Sequence, residues 1–244
     1  FSMSDSIVQD FYHGKYSKVV KACEKALKRY PKSAFHNSLL GSALLEMGAY
    51  VRAQKYMGLA HSLDPSPESS YNLGRCLLKM RRFTDAFSYL ESYVKLRPSD
   101  ADGWTNLGMV FNGMEQSENA VNAFFHAYQL RSDDFVVTKN YAISLAENYR
   151  FTEALSLFER LVELNREDLD ILISYAMLLN SIRRVEHAFY WAQHAESLAP
   201  GNLRINFILA EIIFHNHLTA DPLPYLNKII ASQSDYYFSA INLS

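Results

Sequence analysis

The stretch ADGWTNLGMVFNGMEQSENAVNAFFHAYQL, residues 101–130, decides the fold because its pattern returns along the chain. Trp104 is followed by Leu107 and Gly108, and two small residues, Ala120 and Ala127, come later at fixed offsets. Windows of the same type end at positions 31, 65, 98, 132, 166 and 200, in steps of 34, 33, 34, 34 and 34 residues. A period of this length, found six times, predicts an array of structural repeats.

Each repeat reads as two helices. Apolar residues recur at i, i+3, i+4 and i+7 in two blocks with a short break between them, which predicts two amphipathic helices and a turn. One fixed column of each helix stays small, which lets helices approach closely. These columns hold Gly41, Gly74, Gly108, Ala142, Ala176 and Ala210 in the first helix, and Ala53, Ala86, Ala120, Ala154 and Ala188 in the second. Proline follows the second helix in several repeats, where it ends the helix.

This pattern resembles the tetratricopeptide repeat, a 34-residue helix–turn–helix unit. The columns that carry the resemblance are Trp104, Leu107, Gly108, Phe111, Ala120, Phe124 and Ala127. The resemblance implies an all-α fold, a right-handed superhelical solenoid of antiparallel helix pairs, as a single domain over residues 1–244. The expected units are 1–33, 34–66, 67–100, 101–134, 135–168, 169–202 and 203–236, with the start of an eighth at 237–244.

The two terminal units depart from the pattern. The leading helix of the first unit, roughly residues 4–12, lacks the Leu-Gly pair. In the seventh unit Pro222 precedes the second helix, and we expect Asp221 as its N-cap with Pro222 at the first helical position.

Composition bounds the function. The chain has 244 residues, of which 49% are hydrophobic and 20% charged, and a formal net charge of -2. No apolar run reaches the roughly 18 residues of a membrane span, and no signal peptide is visible. Two cysteines, Cys23 and Cys76, make neither a disulfide framework nor a metal site, and we expect both on packed helix faces. The predicted compartment is the cytoplasm, although the two residues before Met3 leave open that a signal or anchor was removed.

Catalytic motifs are missing from the sequence. There is no Gly-rich phosphate loop and no nucleophile elbow, and the eight histidines lack companions at metal-ligand spacing. The densest basic run, residues 15–32, falls on a second helix and lacks interleaved aromatic residues, so a solvated outer face is favoured over nucleic-acid binding. The sequence predicts no enzyme activity, no cofactor and no metal.

The resemblance implies that the first helices line a concave groove, which in this family usually holds a peptide segment of a partner. The predicted groove residues occupy a few fixed columns of the first helices, with column one of each unit placed at its first residue. They are Tyr71, Asn72, Arg75, Lys79, Asn106, Met109, Asn112, Lys139, Asn140, Met177 and Asn180.

Column six holds Asn72, Asn106 and Asn140, and Asn242 falls in the same column of the eighth unit. An amide both donates and accepts, so spaced asparagines can pair with the backbone of an extended peptide whatever its sequence. The arrangement resembles the asparagine ladder of O-GlcNAc transferases, and the alternative is that Asn is simply common in this column. The two-carboxylate clamp of chaperone-binding repeats is not present in the sequence.

Charge divides along the chain. Residues 1–100 hold 15 Lys and Arg against 9 Asp and Glu, whereas residues 101–244 hold 9 against 17. Arg75 and Lys79 fall in groove columns beside Tyr71, which favours an acidic or aromatic-acidic partner segment near the third unit.

The leading functional hypothesis is therefore a non-catalytic protein–protein interaction scaffold that binds a peptide of its partner in the concave groove. The alternative is a substrate-recruiting or dimerising arm of a longer enzyme, of glycosyltransferase or sulfotransferase type. A further hypothesis is self-association through the apolar segment YYFSAINL, residues 236–243.

Overall fold

The computed structural model describes residues 3–232 and the side chains of residues 6–232. This part of the chain forms fourteen α-helices joined by short turns. Their bounds are α1 Met3–Tyr12, α2 Tyr16–Arg29, α3 Ala34–Glu46, α4 Tyr50–Leu63, α5 Pro67–Lys79, α6 Phe83–Leu96, α7 Ala101–Gly113, α8 Ser117–Leu130, α9 Phe135–Glu147, α10 Phe151–Leu164, α11 Leu169–Ser181, α12 Val185–Leu198, α13 Leu203–His215 and α14 Leu223–Ser232. The predicted all-α fold of antiparallel helix pairs is confirmed, with odd-numbered first helices and even-numbered second helices.

The helices divide into two compact units. The N-terminal unit contains the described residues up to 132, and the C-terminal unit contains residues 133–232. In the N-terminal unit each first helix packs on its own second helix, as α3 does on α4, and that second helix packs on the first helix of the next repeat, as α4 does on α5. The same order of neighbours is found in the C-terminal unit, from α9 to α14.

Side-chain caps fix where six of the first helices begin. The capping residue always precedes the helix and accepts a hydrogen bond from a backbone N–H of the first turn, which satisfies a donor that the helix leaves unpaired. The caps are Ser33, Ser66, Asp100, Asp134, Asp168 and Asn202. Second helices α2, α4, α6, α8, α10 and α12 have no such cap, so tight turns set their starts instead.

The turn between the helices of a pair has the same geometry in each repeat. One residue adopts a positive φ, and the next donates its N–H to the carbonyl five residues back, as Arg82 does to Leu77 at 2.9 Å. This bonding is the Schellman arrangement, which favours glycine at the left-handed position. Glycine is found there only at Gly14 and Gly48, and the remaining positions are Arg81, Glu115, Tyr149, Arg183 and His217.

The small columns lie where the helices of a pair cross. A Cβ added to Gly41 would lie 2.6 Å from the Met57 side chain, and one added to Gly108 would lie 2.6 Å from the Phe124 ring. The alanines of both small columns are fully buried. The close helix approach expected from the sequence is therefore confirmed.

Two smaller expectations have different outcomes. The leading helix α1 occupies the expected segment, and Cys23 and Cys76 are buried as predicted. The last helix, α14, begins one residue later than expected, at Leu223. The Asp221 carboxylate accepts from the Leu223 N–H at 3.0 Å, so it caps the helix from one position further out than predicted. The expected eighth unit, Asn242 and the segment 236–243 lie outside the described residues.

Candidate functional site

The first helices of the N-terminal unit hold one connected polar group, formed by Tyr71, Arg75 and Asn106. The Asn106 amide donates to the Tyr71 hydroxyl at 3.1 Å. The Arg75 guanidinium lies 5.6 Å from the centre of the Tyr71 ring and 3.6 Å from the Glu46 carboxylate. Burial raises the pKa of Tyr71, so its hydroxyl stays protonated and available as a donor at neutral pH. The structure thus brings three predicted groove residues together.

The asparagines of column six have different surroundings. Asn106 is bonded to Tyr71, as described above. Asn72 is half-buried, and its amide has no hydrogen-bond partner among residues 3–232. In the C-terminal unit, the amide nitrogen of Asn140 is buried and likewise has no partner in the described part of the chain. An unpaired buried donor costs on the order of 1–3 kcal/mol, and this nitrogen is enclosed by the protein, so Asn140 differs from the exposed groove residues.

Three more predicted residues of the N-terminal unit, Lys79, Met109 and Asn112, are exposed. Met109 keeps 38% of its surface in contact with solvent. Solvent can therefore reach this face of α5 and α7 beside the Tyr71 group. An exposed thioether next to polar side chains offers an adaptable apolar contact to a ligand.

In the C-terminal unit, Lys139 is bound within the protein. Its ammonium lies 2.9 Å from the Asp168 carboxylate, and the two side chains are only 19% and 16% exposed. Asp168 also accepts the Ile171 N–H as the N-cap of α11. The pair therefore fastens α9 to α11, and the charge of Lys139 is already neutralised.

Met177 and Asn180 both lie on α11, but Met177 is exposed whereas Asn180 is hydrogen-bonded within the protein. Met177 is 45% exposed. The Asn180 side-chain oxygen accepts from the Asn216 amide at 2.9 Å, and Asn216 also donates to the Ile212 carbonyl. Asn180 thus joins α11 to the end of α13, while Met177 remains available to a ligand.

A cavity of about 230 Å³ opens beside Met177, and the sequence reasoning missed it. Its lining combines apolar side chains such as Ile143, Leu178 and Met177 with the charged residues Glu147 and Arg204. Glu147 is exposed over much of its surface, yet burial of its carboxyl raises its pKa, and the nearby charge of Arg204 acts in the opposite direction. Glu147 occupies column thirteen, the column of Lys79, but was not itself predicted, and Arg204 occupies column two, which holds none of the predicted groove residues.

The described residues contain no group of three or more His, Cys, Asp or Glu side chains that could hold a metal ion. Burial raises the pKa of both cysteine thiols to about 11, which leaves them protonated and poorly nucleophilic at neutral pH. Within the part of the chain that the structure describes, no helix is long and apolar enough to cross a membrane.

The repeated helix pairs, with their small columns and common turn, define a helical-repeat protein. Residues 71–134 match the tetratricopeptide repeat family, and residues 12–102 match the family described as subunit 3 of the anaphase-promoting complex, cyclosome. Together with the fourteen paired helices, these matches make the chain a tetratricopeptide-repeat protein.

One curated relative is the BBSome complex member BBS4 of Bos taurus, 27% identical over 123 residues, which are 50% of this chain and 24% of that protein. The chain thus spans about a quarter of the length of this relative. Two solved structures share the fold. Pseudomonas aeruginosa pilF has a TM-score of 0.74 at 19% identity, with 85% of this chain and 95% of that chain covered. The APC/C hetero-tetramer Cut9–Hcn1 has a TM-score of 0.77 at 13% identity, with 97% of this chain and 47% of that chain covered.

Proposed function

We propose that this chain is a non-catalytic interaction scaffold that binds an extended peptide segment of a partner protein along its first helices. The observation that carries the proposal is that each unit exposes a methionine among polar side chains on its first helices. In the N-terminal unit Met109 is 38% exposed and Asn112 is exposed, and in the C-terminal unit Met177 is 45% exposed and lines a cavity with Glu147. Such a surface offers apolar contacts and backbone-directed hydrogen bonds to a peptide.

The N-terminal unit favours a segment with acidic and aromatic residues. Tyr71 is held by Asn106, and the Arg75 guanidinium lies near its ring. Arg75 is partly neutralised by Glu46 at 3.6 Å, whereas Lys79 is exposed and has no ion-pair partner in the described part of the chain. Lys79 is therefore the cation that a partner carboxylate would meet first.

The names of the relatives agree with a scaffold role. BBS4 is named as a member of the BBSome complex, and Cut9–Hcn1 is a hetero-tetramer of APC/C. By analogy, we place this chain in a multi-protein assembly, with no nucleic-acid partner and no cofactor. The two free cysteines favour a reducing compartment such as the cytoplasm.

Site-specific photo-crosslinking tests the proposal. A benzophenone amino acid is placed at Asn112 or Met177 on the first helices, and at Asn122 or Gln193 on second helices α8 and α12 as exposed matched controls. The ligand is a peptide selected on the immobilised chain from a displayed library of linear peptides. We expect crosslinks at Asn112 or Met177 and none at the controls. Crosslinks confined to the second helices would contradict the proposal.

The second candidate is a recruiting arm of a longer enzyme, of glycosyltransferase or sulfotransferase type. The match to BBS4 covers only 24% of that protein, which agrees with repeats that form part of a longer chain. This is the one observation in favour of the second candidate. Assay of the full-length gene product for group transfer to the selected peptide separates the candidates. Transfer to that peptide favours the enzyme, and binding without transfer favours the scaffold.

Self-association through residues 236–243 remains a separate proposal. A chain that ends near Gln233 should be smaller in solution than the full chain if these residues hold two copies together. If light scattering gives the same number of chains per particle for the two proteins, the proposal is contradicted.

A further inference from the structure

The cavity of the C-terminal unit is lined by three first helices, together with Tyr149 and Phe151 around the start of α10. Ile143 and Glu147 come from α9, Met177 and Leu178 from α11, and Arg204 from the first turn of α13. A ligand here would touch all three helices at once. The cavity therefore shares the helices on which peptide binding is proposed, and the inference below rests on that proposed function.

The size of the cavity favours a single side chain. Its volume is about 230 Å³, whereas sites for small molecules and cofactors occupy about 300–1,000 Å³. Ile143, Met177 and Leu178 supply the apolar part of its lining. An apolar side chain of a peptide matches both the volume and this lining, and its burial would remove apolar surface from water.

Two charges line the cavity without neutralising each other. Glu147 and Arg204 form no ion pair within 4.0 Å, and neither has another ion-pair partner among residues 3–232. Glu147 is exposed over much of its surface, so a ligand can reach its carboxylate, whose pKa is raised by burial and lowered by the charge of Arg204. A cation brought by a ligand would add a favourable charge interaction with this carboxylate.

The surroundings reinforce the preference for a cation. The Lys139 ammonium lies 2.9 Å from the Asp168 carboxylate and 3.9 Å from that of Asp170, so it adds no unpaired cation to this region. Residues 133–232 hold 8 Lys and Arg against 13 Asp and Glu, a net charge of -5. Such a field attracts cationic segments and repels acidic ones.

We propose that the cavity between α9, α11 and α13 receives one apolar side chain of the partner segment, and that a Lys or Arg next to it pairs with Glu147. The C-terminal unit thus selects an apolar–basic sequence, in contrast to the acidic or aromatic segment favoured by the N-terminal unit.

Three labelled peptides with blocked termini test this selectivity by fluorescence anisotropy. All share a Gly-Ser background and differ at two central residues, which are Leu-Arg, Leu-Glu or Ser-Arg. The Leu-Arg peptide should bind about tenfold tighter than either of the others, because a partly desolvated charge pair and a buried side chain are each worth about that factor.

Two variants locate the binding. Glu147→Arg should reverse the preference, so that the Leu-Glu peptide binds tighter than the Leu-Arg peptide. Ala146→Leu fills the cavity that Ala146 lines and should weaken the Leu-Arg peptide about tenfold. Glu163→Arg and Gln193→Leu, at exposed positions of the second helices α10 and α12, serve as matched controls. Glu147→Gln, which is nearly isosteric, gives a second test if either variant lowers the Tm.

The outcomes separate this inference from the proposed function. Equal affinity for the Leu-Arg and Leu-Glu peptides, or insensitivity to Glu147→Arg and Ala146→Leu, overturns the inference. If none of the three peptides binds, the inference is likewise overturned. The proposed function survives either result when the library-selected peptide still crosslinks at Asn112 or Met177, and it fails when that peptide crosslinks only at the second helices.

Discussion

The two compact units share one repeat but differ in how their first helices present charge. In the N-terminal unit, Arg75 and Lys79 lie on the same helix as Tyr71, and Asn106 holds the Tyr71 hydroxyl. In the C-terminal unit, Lys139 in column five is paired with Asp168, and Glu147 forms no ion pair among the described residues, beside a cavity that apolar side chains and Arg204 also line. The two units thus present different charges on the same scaffold, and we propose that they prefer segments of opposite charge, because the repeat constrains the packing columns and leaves the other columns free.

The units also differ in their interiors. The small column of the first helix holds glycine in the N-terminal unit, at Gly41, Gly74 and Gly108, and alanine in the C-terminal unit. Both cysteines lie in the N-terminal unit, where they belong to one apolar core cluster. These contrasts allow the units to be probed separately.

Thiol labelling should report on the N-terminal unit alone. Because burial raises the pKa of Cys23 and Cys76 to about 11, against about 8.5 for a free thiol, the native chain at pH 8 holds at least about a hundredfold less thiolate. Labelling by an aromatic disulfide reagent should slow by at least that factor relative to the unfolded chain. The neutral thiols stabilise the fold below about pH 8.5, and this contribution should decline as the pH rises towards 11.

The labelling measurement also compares the two units. With denaturant, the onset of labelling should follow opening of the N-terminal unit, while fluorescence of Trp191, retained in a Trp104→Phe chain, reports on the C-terminal unit. Rapid labelling of the native chain at pH 8 would show that the core around Cys23 and Cys76 is open.

The same substitution at two glycines should have opposite signs. In Gly108→Ala the new Cβ would lie 2.6 Å from the buried Phe124 ring, whereas at Gly58, in α4, no atom lies within 4 Å. We expect Gly108→Ala to lower the free energy of unfolding by about 1–2 kcal/mol, and Gly58→Ala to raise it by about 0.5–1 kcal/mol through helix propensity. Urea unfolding of both variants gives the comparison, and a stabilised Gly108→Ala variant would contradict the close packing.

Loss of the ion pair in the C-terminal unit should cost an intermediate amount. Lys139→Met leaves the Asp168 carboxylate, which is 16% exposed, without its partner. The expected loss is about 1–2 kcal/mol, between that of exposed pairs and that of fully buried ones. Arg82→Ala breaks the exposed pair with Asp85 and serves as the control, with an expected loss below about 1 kcal/mol. Equal losses would refute the anchoring role of Lys139.

Relief of strain in the turns should have the smallest effect. Glu115 in the N-terminal unit and Arg183 in the C-terminal unit adopt φ of 59° and 64°, where a side chain costs about 1–2 kcal/mol. Glu115→Gly and Arg183→Gly relieve this strain, but glycine loses more conformational entropy on folding, which offsets part of the gain. Each variant should therefore be more stable by about 0.5–1 kcal/mol. Gly48→Ala, at the same column, should destabilise it. Differential scanning calorimetry measures all three, and a lowered Tm in both glycine variants would argue against strain at this position.

The helix pairs were predictable because small and apolar residues recur at the same packing positions in each repeat. Six aligned windows reveal the small columns and the buried cysteines without knowledge of any contact. The turn geometry could also be inferred in part, since Gly14 and Gly48 occupy the left-handed column, but five residues other than glycine occupy it in later repeats.

The candidate site was predicted less completely, because its chemistry depends on pairs that join different repeats. Lys139 and Asp168 are 29 residues apart, and Tyr71 and Asn106 are 35 apart, so neither pair follows from one helix. The cavity depends on the volumes of side chains from three helices, which a column pattern does not reveal. Glu147 and Arg204 were missed for that reason.

The most direct test of the central claim is a methyl NMR titration of the chain labelled with ¹³C at its methionine methyl groups. Met109 and Met177 report on the first helices, and Met47, which is 49% exposed at the end of α3, is the matched control. On addition of the library-selected peptide, we expect the methyl resonances of Met109, Met177 or both to shift, while that of Met47 stays unchanged. A shift at Met47 alone, or saturable binding that leaves Met109 and Met177 unmoved, would contradict it.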